Sequence, residues 1–189
     1  MKHALVTTLA ACLVSGLFAA PALAESGREA ASKAPVVNLD TSHGRIVIRL
    51  RPDLAPKHAE RIETLTKRGF YNGVPFHRVI EGFMAQTGDP TGTGAGGSDL
   101  PDLPAEFSQE SFRRGAVGMA RAASPNSANS QFFIMYGRAP HLDGKYTLVG
   151  EVISGMDVAD RIRKGDPARN GLVENPDRIV KMEMAPAGQ

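Results

Sequence analysis

The apolar residues of this chain fall mostly in short runs, which glycine, proline and polar residues separate. Runs of this length predict β-strands rather than helices. The clearest ones are Val36 to Asp40, Arg45 to Leu50, Ala116 to Ala120, Gln131 to Tyr136, Tyr146 to Ile153 and Ile179 to Met184. The turn of residues 41–44 predicts a hairpin between the first two, with a solvated His43. Many short strands favour a closed or nearly closed antiparallel β structure.

Two further stretches have the spacing of amphipathic helices. The first runs from Pro56 to Arg68, with proline at its first position and Gly69 as a stop. The second runs from Ser154 to Lys164, opens with the S-x-x-D pattern of a capping box and ends at Gly165. We expect the first helix to cover one end of the β structure.

The first 24 residues have the pattern of a secretory signal peptide. A basic start at Lys2 precedes an uncharged apolar stretch, and Ala22-Leu23-Ala24 forms a small-residue cleavage site. The alternatives are a retained membrane anchor and a lipoprotein modified at Cys12. The cleavage site favours removal, and the sequence after Cys12 is apolar where a lipoprotein usually has a polar tether. We therefore expect an exported protein without a stable membrane anchor, in the periplasm or else secreted.

This boundary defines the expected domains: signal peptide 1–24, a flexible polar segment 25–35 and one globular domain 36–186. Removal of 24 of the 189 residues takes away Cys12, the only cysteine, and excludes disulfides and thiol chemistry from the remaining 165. These retain 21 basic and 20 acidic residues, a balance that gives no reason to expect nucleic acid as a partner. The absence of heptads favours a monomer.

One stretch, FHRVIEGFMAQTGD at residues 76–89, places an arginine in an apolar setting. At strand period two, Phe76, Arg78 and Ile80 share one face. A guanidinium at the rim of an apolar groove presents a fixed fork of N–H donors that could reach a carbonyl. The alternative for Arg78 is an ion pair with a nearby carboxylate such as Asp89 or Glu81.

Three ordered blocks of this chain resemble the cyclophilin family of peptidyl-prolyl cis-trans isomerases. They are FHRVIEGFMAQTGD at 76–89, GMARAASPNSANSQFFI at 118–134 and HLDGKYTLVGEV at 141–152. The resemblance covers about Val36 to Met184. It implies a mainly β fold, a closed eight-stranded antiparallel barrel capped by two α-helices. It also implies an isomerase that acts on proline-containing polypeptides without metal or cofactor.

The resemblance implies a site around Arg78, the candidate catalytic residue. The candidate substrate-binding residues are Phe83, Met84, Gln86, Ala120, Arg121, Gln131, Phe133, His141, Leu142 and Tyr146. Apolar members would hold the proline ring, while Gln86 and the backbone near Ala120 would hydrogen-bond the substrate chain. His77 is expected to be a buried, satisfied histidine, because this reaction needs no proton transfer.

Rotation about an X–Pro bond faces a barrier of roughly 20 kcal/mol, which falls when amide resonance weakens. The twisted state concentrates a lone pair on the imide nitrogen. A dry pocket with a donor such as Arg78 would favour that state without a nucleophile or covalent intermediate. We expect this activity to assist the folding of exported proteins.

Three positions depart from the family's pattern: His141 replaces a tryptophan, Tyr146 a histidine and Arg121 an asparagine. We expect activity to persist, since the arginine and the apolar floor remain. Sensitivity to the cyclic peptide inhibitor cyclosporin is expected to weaken, because an indole N–H and its flat contact are absent.

Two other function classes can be compared with this one. A chaperone or binding module for proline segments could use the same groove, but it would have little need of Arg78. A metal-dependent hydrolase is excluded, because no HxH or HExxH pair occurs. The GxGxxG match at residues 92–97 is followed by Pro101 and Pro104 rather than a helix, so it indicates a loop beneath an extended ligand instead of a dinucleotide site.

Overall fold

The computed structural model describes residues 34–186 of the chain. This part contains one sheet of eight antiparallel strands and two α-helices, which confirms the predicted mainly β class. The strands are β1 Val36–Thr41, β2 Gly44–Leu50, β3 Arg78–Ile80, β4 Met84–Thr87, β5 Ala116–Met119, β6 Phe132–Met135, β7 Leu148–Ser154 and β8 Ile179–Met184. The α-helices are α1 Pro56–Lys67 and α2 Met156–Arg161, and short 3-10 helices lie at Pro140–Leu142 and Pro167–Arg169.

The strand order across the sheet is β3-β4-β6-β5-β7-β2-β1-β8. The predicted hairpin of β1 and β2 is present, with Thr41 opposite Gly44. At the other edge, β3 and β4 form a second short hairpin that pairs onto β6. This second hairpin carries the arginine that the sequence singled out.

The predicted closure of the barrel is not confirmed. β3 and β8 are the two edges of the sheet, and no ladder joins them in the described residues. The edges meet through a bridge between Pro75 and Arg178 and through a hydrogen bond from the Phe76 amide to the Asp177 carbonyl, 2.9 Å long. Past this point, the outer edge of β3 pairs with residues 165–171 instead: the Val79 amide donates to the Gly171 carbonyl, and the Gly165 amide donates to the Val79 carbonyl. The sheet is therefore an open, strongly curled half-barrel.

The curled sheet surrounds the main apolar core. The first hairpin contributes side chains that are at most 2% exposed: Val37, Leu39, Ile46, Ile48 and Leu50. The two helices add Ala59, Ile62, Leu65, Val158 and Ala159. Full burial of one leucine or isoleucine side chain stabilises the fold by roughly 1.5–3 kcal/mol. This core therefore anchors the strands on which the candidate site is built.

The two predicted helices are present, but the second is shorter than expected. Its N-cap is Gly155 in a left-handed conformation (φ 87°), with no side-chain capping bond. The predicted capping box is wrong because Ser154 is the last residue of β7 and pairs with Val47. The helix ends at Arg161, since Ile162 already has an extended backbone (ψ 132°).

Two local expectations are also wrong. Phe76 does not share the face of Arg78; it lies in the main core with Val79, because β3 begins only at Arg78 and the chain before it does not follow the strand period. His43 is not simply solvated, since its Nε2 atom lies 3.0 Å from Oδ2 of Asp177.

The signal peptide, the Cys12 alternative and most of the 25–35 segment lie outside the described residues and stay predictions. Within residues 34–186, none of the helices has both the length and the apolar character needed to cross a membrane.

Candidate active site

A pocket of about 110 Å³ opens on the sheet where β3, β4 and β6 adjoin. Its lining consists of Arg78, Phe83, Met84, Gln86, Ala120, Arg121, Phe133, Leu142 and Tyr146, all of them candidate residues from the sequence. Gln131 and His141 lie outside this lining. The structure thus brings together most of the residues that the sequence proposed, and their roles stay predictions.

Strand register explains how residues distant in sequence reach one pocket. Arg78 pairs with Gln86, Gln86 pairs with Phe133, and Phe133 pairs with Gly118. Residues directly opposite each other in an antiparallel ladder face the same side of the sheet. The row therefore places a cation, an amide and an aromatic ring side by side.

The floor of the pocket is apolar and tightly packed. Met84, Phe133 and Leu142 are no more than 6% exposed and belong to a second apolar cluster, separate from the main core. The Phe133 ring lies 5.8 Å from that of Phe112 and 6.0 Å from that of Tyr146. An enclosed cavity on the order of 150 Å³ holds the six-membered ring of benzene. This pocket of about 110 Å³ is open on one side, and its size suits the five-membered ring of proline.

The Arg78 guanidinium is held by three neutral acceptors. Nη1 donates to Oε1 of Gln86 at 3.1 Å, Nε to the Asn170 carbonyl at 3.0 Å and Nη2 to Oδ1 of Asn170 at 2.9 Å. A guanidinium has five N–H donors, so two remain for a ligand. Burial lowers the pKa of Arg78, but an arginine stays protonated at neutral pH.

The ion-pair alternative for Arg78 is wrong. No carboxylate in residues 34–186 lies within 4 Å of its guanidinium. Asp89, one of the suggested partners, is buried and instead accepts hydrogen bonds from the backbone amides of Thr91, Gly94 and Gly96. Burial alone would raise the pKa of Asp89, but a hydrogen bond from the Thr91 hydroxyl (2.8 Å) and those from the three amides outweigh it and lower that pKa to about 2.

Asp89 thereby shapes the glycine loop, residues 92–97. No helix follows this loop, as expected for a wall beneath an extended ligand and not for a dinucleotide turn. The loop borders a second, larger groove of about 560 Å³ that shares Gln86, Ala120 and Arg121 with the pocket. A polypeptide could thus continue from the pocket into this groove.

Gln131 connects the pocket to the glycine loop. Its Oε1 accepts from Nε2 of Gln86 at 2.9 Å, and its own Nε2 donates to the carbonyls of Gly94 (3.0 Å) and Gly96 (2.8 Å). Its backbone carbonyl accepts from the Ala120 amide at 2.9 Å. Gln131 lines the larger groove, and its side-chain amide supports the groove wall.

Arg121 and His141 occupy the rim. The Arg121 guanidinium stacks 4.5 Å above the Tyr146 ring and donates to the carbonyls of Ala122, Ala123 and Lys145. The His141 ring lies 5.7 Å from that of Phe83, tilted by 36°. The expected loss of cyclosporin sensitivity, which depends on His141, stays a prediction.

His77 is buried at 4% exposure, as expected. Neither ring nitrogen has a protein partner at regular hydrogen-bond geometry in the described part of the chain, so the expectation that the ring is satisfied stays a prediction. Burial lowers the pKa of His77, which favours the neutral ring. It is absent from the pocket lining, so the geometry gives it no contact with a substrate.

Sequence reasoning missed Asn170. The residue lies 92 positions after Arg78, outside the three blocks that carried the resemblance. The only local signal was the Asn170-Gly171 pair, which is typical of a turn with left-handed backbone. Such a pair does not indicate which side chain the turn approaches.

Within residues 34–186, no group of three or more histidine, aspartate, glutamate or cysteine side chains could hold a metal ion. The pocket offers donors and apolar surface instead.

Comparisons with known proteins agree with this geometry. A family model described as "Cyclophilin type peptidyl-prolyl cis-trans isomerase/CLD" matches residues 36–184. A probable peptidyl-prolyl cis-trans isomerase of Brucella suis biovar 1 (strain 1330) is 56% identical over 163 residues, which cover 80% of this chain and 83% of that protein. Peptidyl-prolyl cis-trans isomerase-like 3 of Homo sapiens is 45% identical over 133 residues, 68% of this chain and 81% of that one.

A solved structure is also similar. The cyclophilin-type peptidyl-prolyl cis-trans isomerase of Cryptosporidium parvum, crystallised in the presence of the dipeptide Ala-Pro, superposes with a TM-score of 0.73 at 30% sequence identity. The match covers 80% of this chain and 99% of that one.

Proposed function

This chain belongs to the cyclophilin family of peptidyl-prolyl cis-trans isomerases, and from that premise we propose that the pocket around Arg78 is where it rotates X–Pro bonds. The chain is a peptidyl-prolyl cis-trans isomerase, and enzymes of this family act on proline-containing polypeptides. One observation carries the location: a fully protonated guanidinium with two uncommitted N–H donors stands at the rim of an apolar pocket of proline size.

The proposed chemistry is stabilisation of the twisted amide. The proline ring occupies the floor formed by Met84, Phe133 and Leu142, where it is shielded from water. Arg78 donates one of its free N–H groups towards the imide nitrogen, whose lone pair localises as the bond rotates. Because that lone pair is delocalised in the planar ground state, the interaction is stronger in the transition state. No covalent bond to the enzyme is required.

The substrate chain on one side of the proline continues along the larger groove. The Ala120 amide already donates to Gln131, so the substrate backbone would bind the carbonyl of Ala120 and the amide of Arg121. Neither of these two groups has a hydrogen-bond partner in residues 34–186. They complement an extended peptide backbone, which offers one donor and one acceptor per residue.

Isomerisation of a short Ala-Pro peptide by wild-type protein and by Arg78→Ala tests the site. Loss of one preorganised donor to a transition state typically costs about 10²–10³ in kcat. We expect a loss of this size in kcat with little change in KM, because the apolar floor still binds the ring. Exchange NMR measures both the rate and the binding.

Wild-type activity retained by Arg78→Ala would contradict this assignment while leaving the family membership intact. Binding of the peptide without turnover by the wild type would instead support a proline-binding module. Circular dichroism of the variant is the control for folding.

We also propose that the enzyme acts on proteins exported from the cytoplasm. The support is the signal-peptide pattern of residues 1–24. Mass spectrometry of protein from the cell envelope tests it, with a chain that begins at Glu25 as the expected result. A lipidated chain that begins at Cys12, or an uncleaved chain in the cytoplasm, would contradict cleavage after Ala24.

A further inference from the structure

The outer edge of β3 is covered by residues 165–173, which we call the strap. The Val79 amide donates to the Gly171 carbonyl at 2.8 Å, and the Gly165 amide donates to the Val79 carbonyl at 2.9 Å. Leu172 of the strap also forms a bridge with Arg78 itself. The strap therefore holds the strand that carries the catalytic candidate, at the place where a closed barrel would have had another strand.

The backbone of the strap packs directly against β3, with no room for a side chain at Gly171. Gly171 has φ 77°, and a Cβ atom there would collide with Cγ1 of Ile80. The strap is also braced internally, since the Asp166 carboxylate accepts from the Ala168 amide (2.8 Å) and the Asp166 carbonyl accepts from the Gly171 amide (2.8 Å). Residue 170 is consequently fixed at the tip of a tight turn.

Asn170 has a left-handed backbone (φ 53°, ψ 36°), which asparagine tolerates better than other residues except glycine. In this conformation, both its carbonyl oxygen and its side-chain Oδ1 accept hydrogen bonds from Arg78. One residue thus supplies two of the three contacts that orient the guanidinium.

We propose that Asn170 is a positioning residue for the isomerase reaction, acting through Arg78. This inference rests on the proposed role of Arg78. A free arginine side chain samples many rotamers. If it is held in one rotamer before the substrate binds, the catalytic step does not have to include this loss of conformational freedom. Acceptors on Nε and Nη2 also determine which N–H groups remain for the substrate.

The chemistry of the acceptor matters as well as its place. An amide oxygen accepts a hydrogen bond but carries no net charge, so the positive charge of the guanidinium still acts in full on a ligand in the pocket. A carboxylate at the same place would form an ion pair with Arg78 and partly neutralise that charge. Asparagine therefore orients the cation without neutralising it.

Asn170→Gly is the sharpest test, because glycine tolerates the left-handed backbone and keeps the carbonyl acceptor, while the side-chain amide oxygen is removed. We expect kcat for an Ala-Pro peptide to fall about tenfold with KM nearly unchanged. Asn170→Asp retains an acceptor of the same size but adds the charge, and we expect kcat to fall further than in Asn170→Gly.

Asn175 provides a matched control. It has the same φ of 53°, it is exposed, and its side chain makes no hydrogen bond within residues 34–186. Asn175→Gly therefore places a glycine at another left-handed position without touching Arg78, and its kcat should equal that of the wild type. Equal kcat in Asn170→Gly and Asn175→Gly would overturn the inference.

A double-mutant cycle separates this inference from the proposed function. In an Arg78→Ala background, Asn170→Gly should leave the residual rate unchanged, because nothing remains to be positioned. A further tenfold loss in that background would show a structural effect and overturn the inference. If Arg78→Ala itself retained full activity, the proposed function would fail instead.

Discussion

At the scale of single residues, the floor of the pocket depends on the absence of one side chain. Gly118 pairs with Phe133, and the Phe133 ring lies over the position where a Cβ of residue 118 would be. The Phe112 ring approaches the same position. The Phe133 ring of the pocket floor and the Phe112 ring beside it can therefore take these positions only because residue 118 is glycine.

Gly118→Ala should consequently destabilise the protein and impair substrate binding together. Added atoms in a packed interior cost about 1–3 kcal/mol, and the Phe133 ring can relieve the overlap only by moving from its place in the pocket floor. We expect a lower free energy of unfolding in urea and a higher KM. The double variant Gly118→Ala with Phe112→Leu removes one of the two overlaps and should recover part of the loss. Unchanged stability and KM in Gly118→Ala would contradict this explanation.

Site residues could be predicted from the sequence where they lie close together in one block. Arg78, Phe83, Met84 and Gln86 lie in one block, and strand register brings them together as expected. Asn170 could not be found in this way, because a tertiary contact across 92 residues leaves no local pattern. His77 was predicted to be buried, and it is, but the hydrogen bonding of its ring depends on neighbours that sequence does not specify.

At the scale of elements, the positions of the strands were easier to predict than the residues at which elements begin and end, or whether the barrel closes. The alternation in β2 predicts one buried face, and the structure has it. In β8 the expected alternation is wrong: the buried residues Ile179 and Met182 are three positions apart, because the pairing with β1 shifts register between Asp40 and Thr41. The Ser154–Asp157 pattern predicted a cap, but the same serine extends β7, and ladder pairing outweighed the local signal. The sheet does not close because the outer edge of β3 pairs with residues 165–171 rather than with β8, and local sequence does not indicate this tertiary pairing.

The N-terminus of α1 is another element that sequence alone does not explain. Its N-cap residue, Ala55, has no side chain that can accept a hydrogen bond. The Glu106 carboxylate, from a distant loop, instead accepts from the amides of Lys57 (3.2 Å) and His58 (3.1 Å). It also contacts Nδ1 of the buried His58 at 2.6 Å. Glu106 thus replaces the missing cap and ties the helix to the loop.

Glu106→Gln should therefore cost about 1–2 kcal/mol of stability, the range for loss of a helix cap and of a negative charge near the positive end of the helix dipole. Activity should change little, since Glu106 does not line the pocket. Glu110→Gln is the control, because Glu110 is exposed and lies 4.0 Å from Arg51 in a weak surface pair. Urea unfolding of both variants measures the difference, and equal free energies of unfolding would contradict the capping role.

At the scale of the whole molecule, a buried histidine and a buried carboxylate make the stability fall as the solution is acidified below neutral pH. Burial lowers the pKa of His77, so the unfolded chain takes up a proton on this residue at a higher pH than the folded protein. Its contribution is complete above the unfolded value of about 6.5 and is lost as pH falls towards the folded value. Asp89 acts in the same direction at lower pH, because its folded pKa of about 2 lies below the ordinary value of 3.8.

We therefore expect the free energy of unfolding to decline in two steps as the solution is acidified, first below about pH 6.5 and then below about pH 4. Asp89 alone accounts for roughly 2 kcal/mol of the second step, which is the linkage of a carboxyl whose pKa drops by nearly two units on folding. Urea unfolding at pH 7, 5 and 3 measures both steps. Asp89→Asn cannot titrate, so its loss between pH 5 and 3 should be smaller by about 1 kcal/mol, because the rest of the Asp89 contribution is lost only as pH falls towards the folded pKa of about 2. If the free energy of unfolding declined equally in both proteins, the carboxylate of Asp89 would contribute nothing to the acid sensitivity of the fold. The same would hold for the hydrogen bonds by which it shapes the glycine loop.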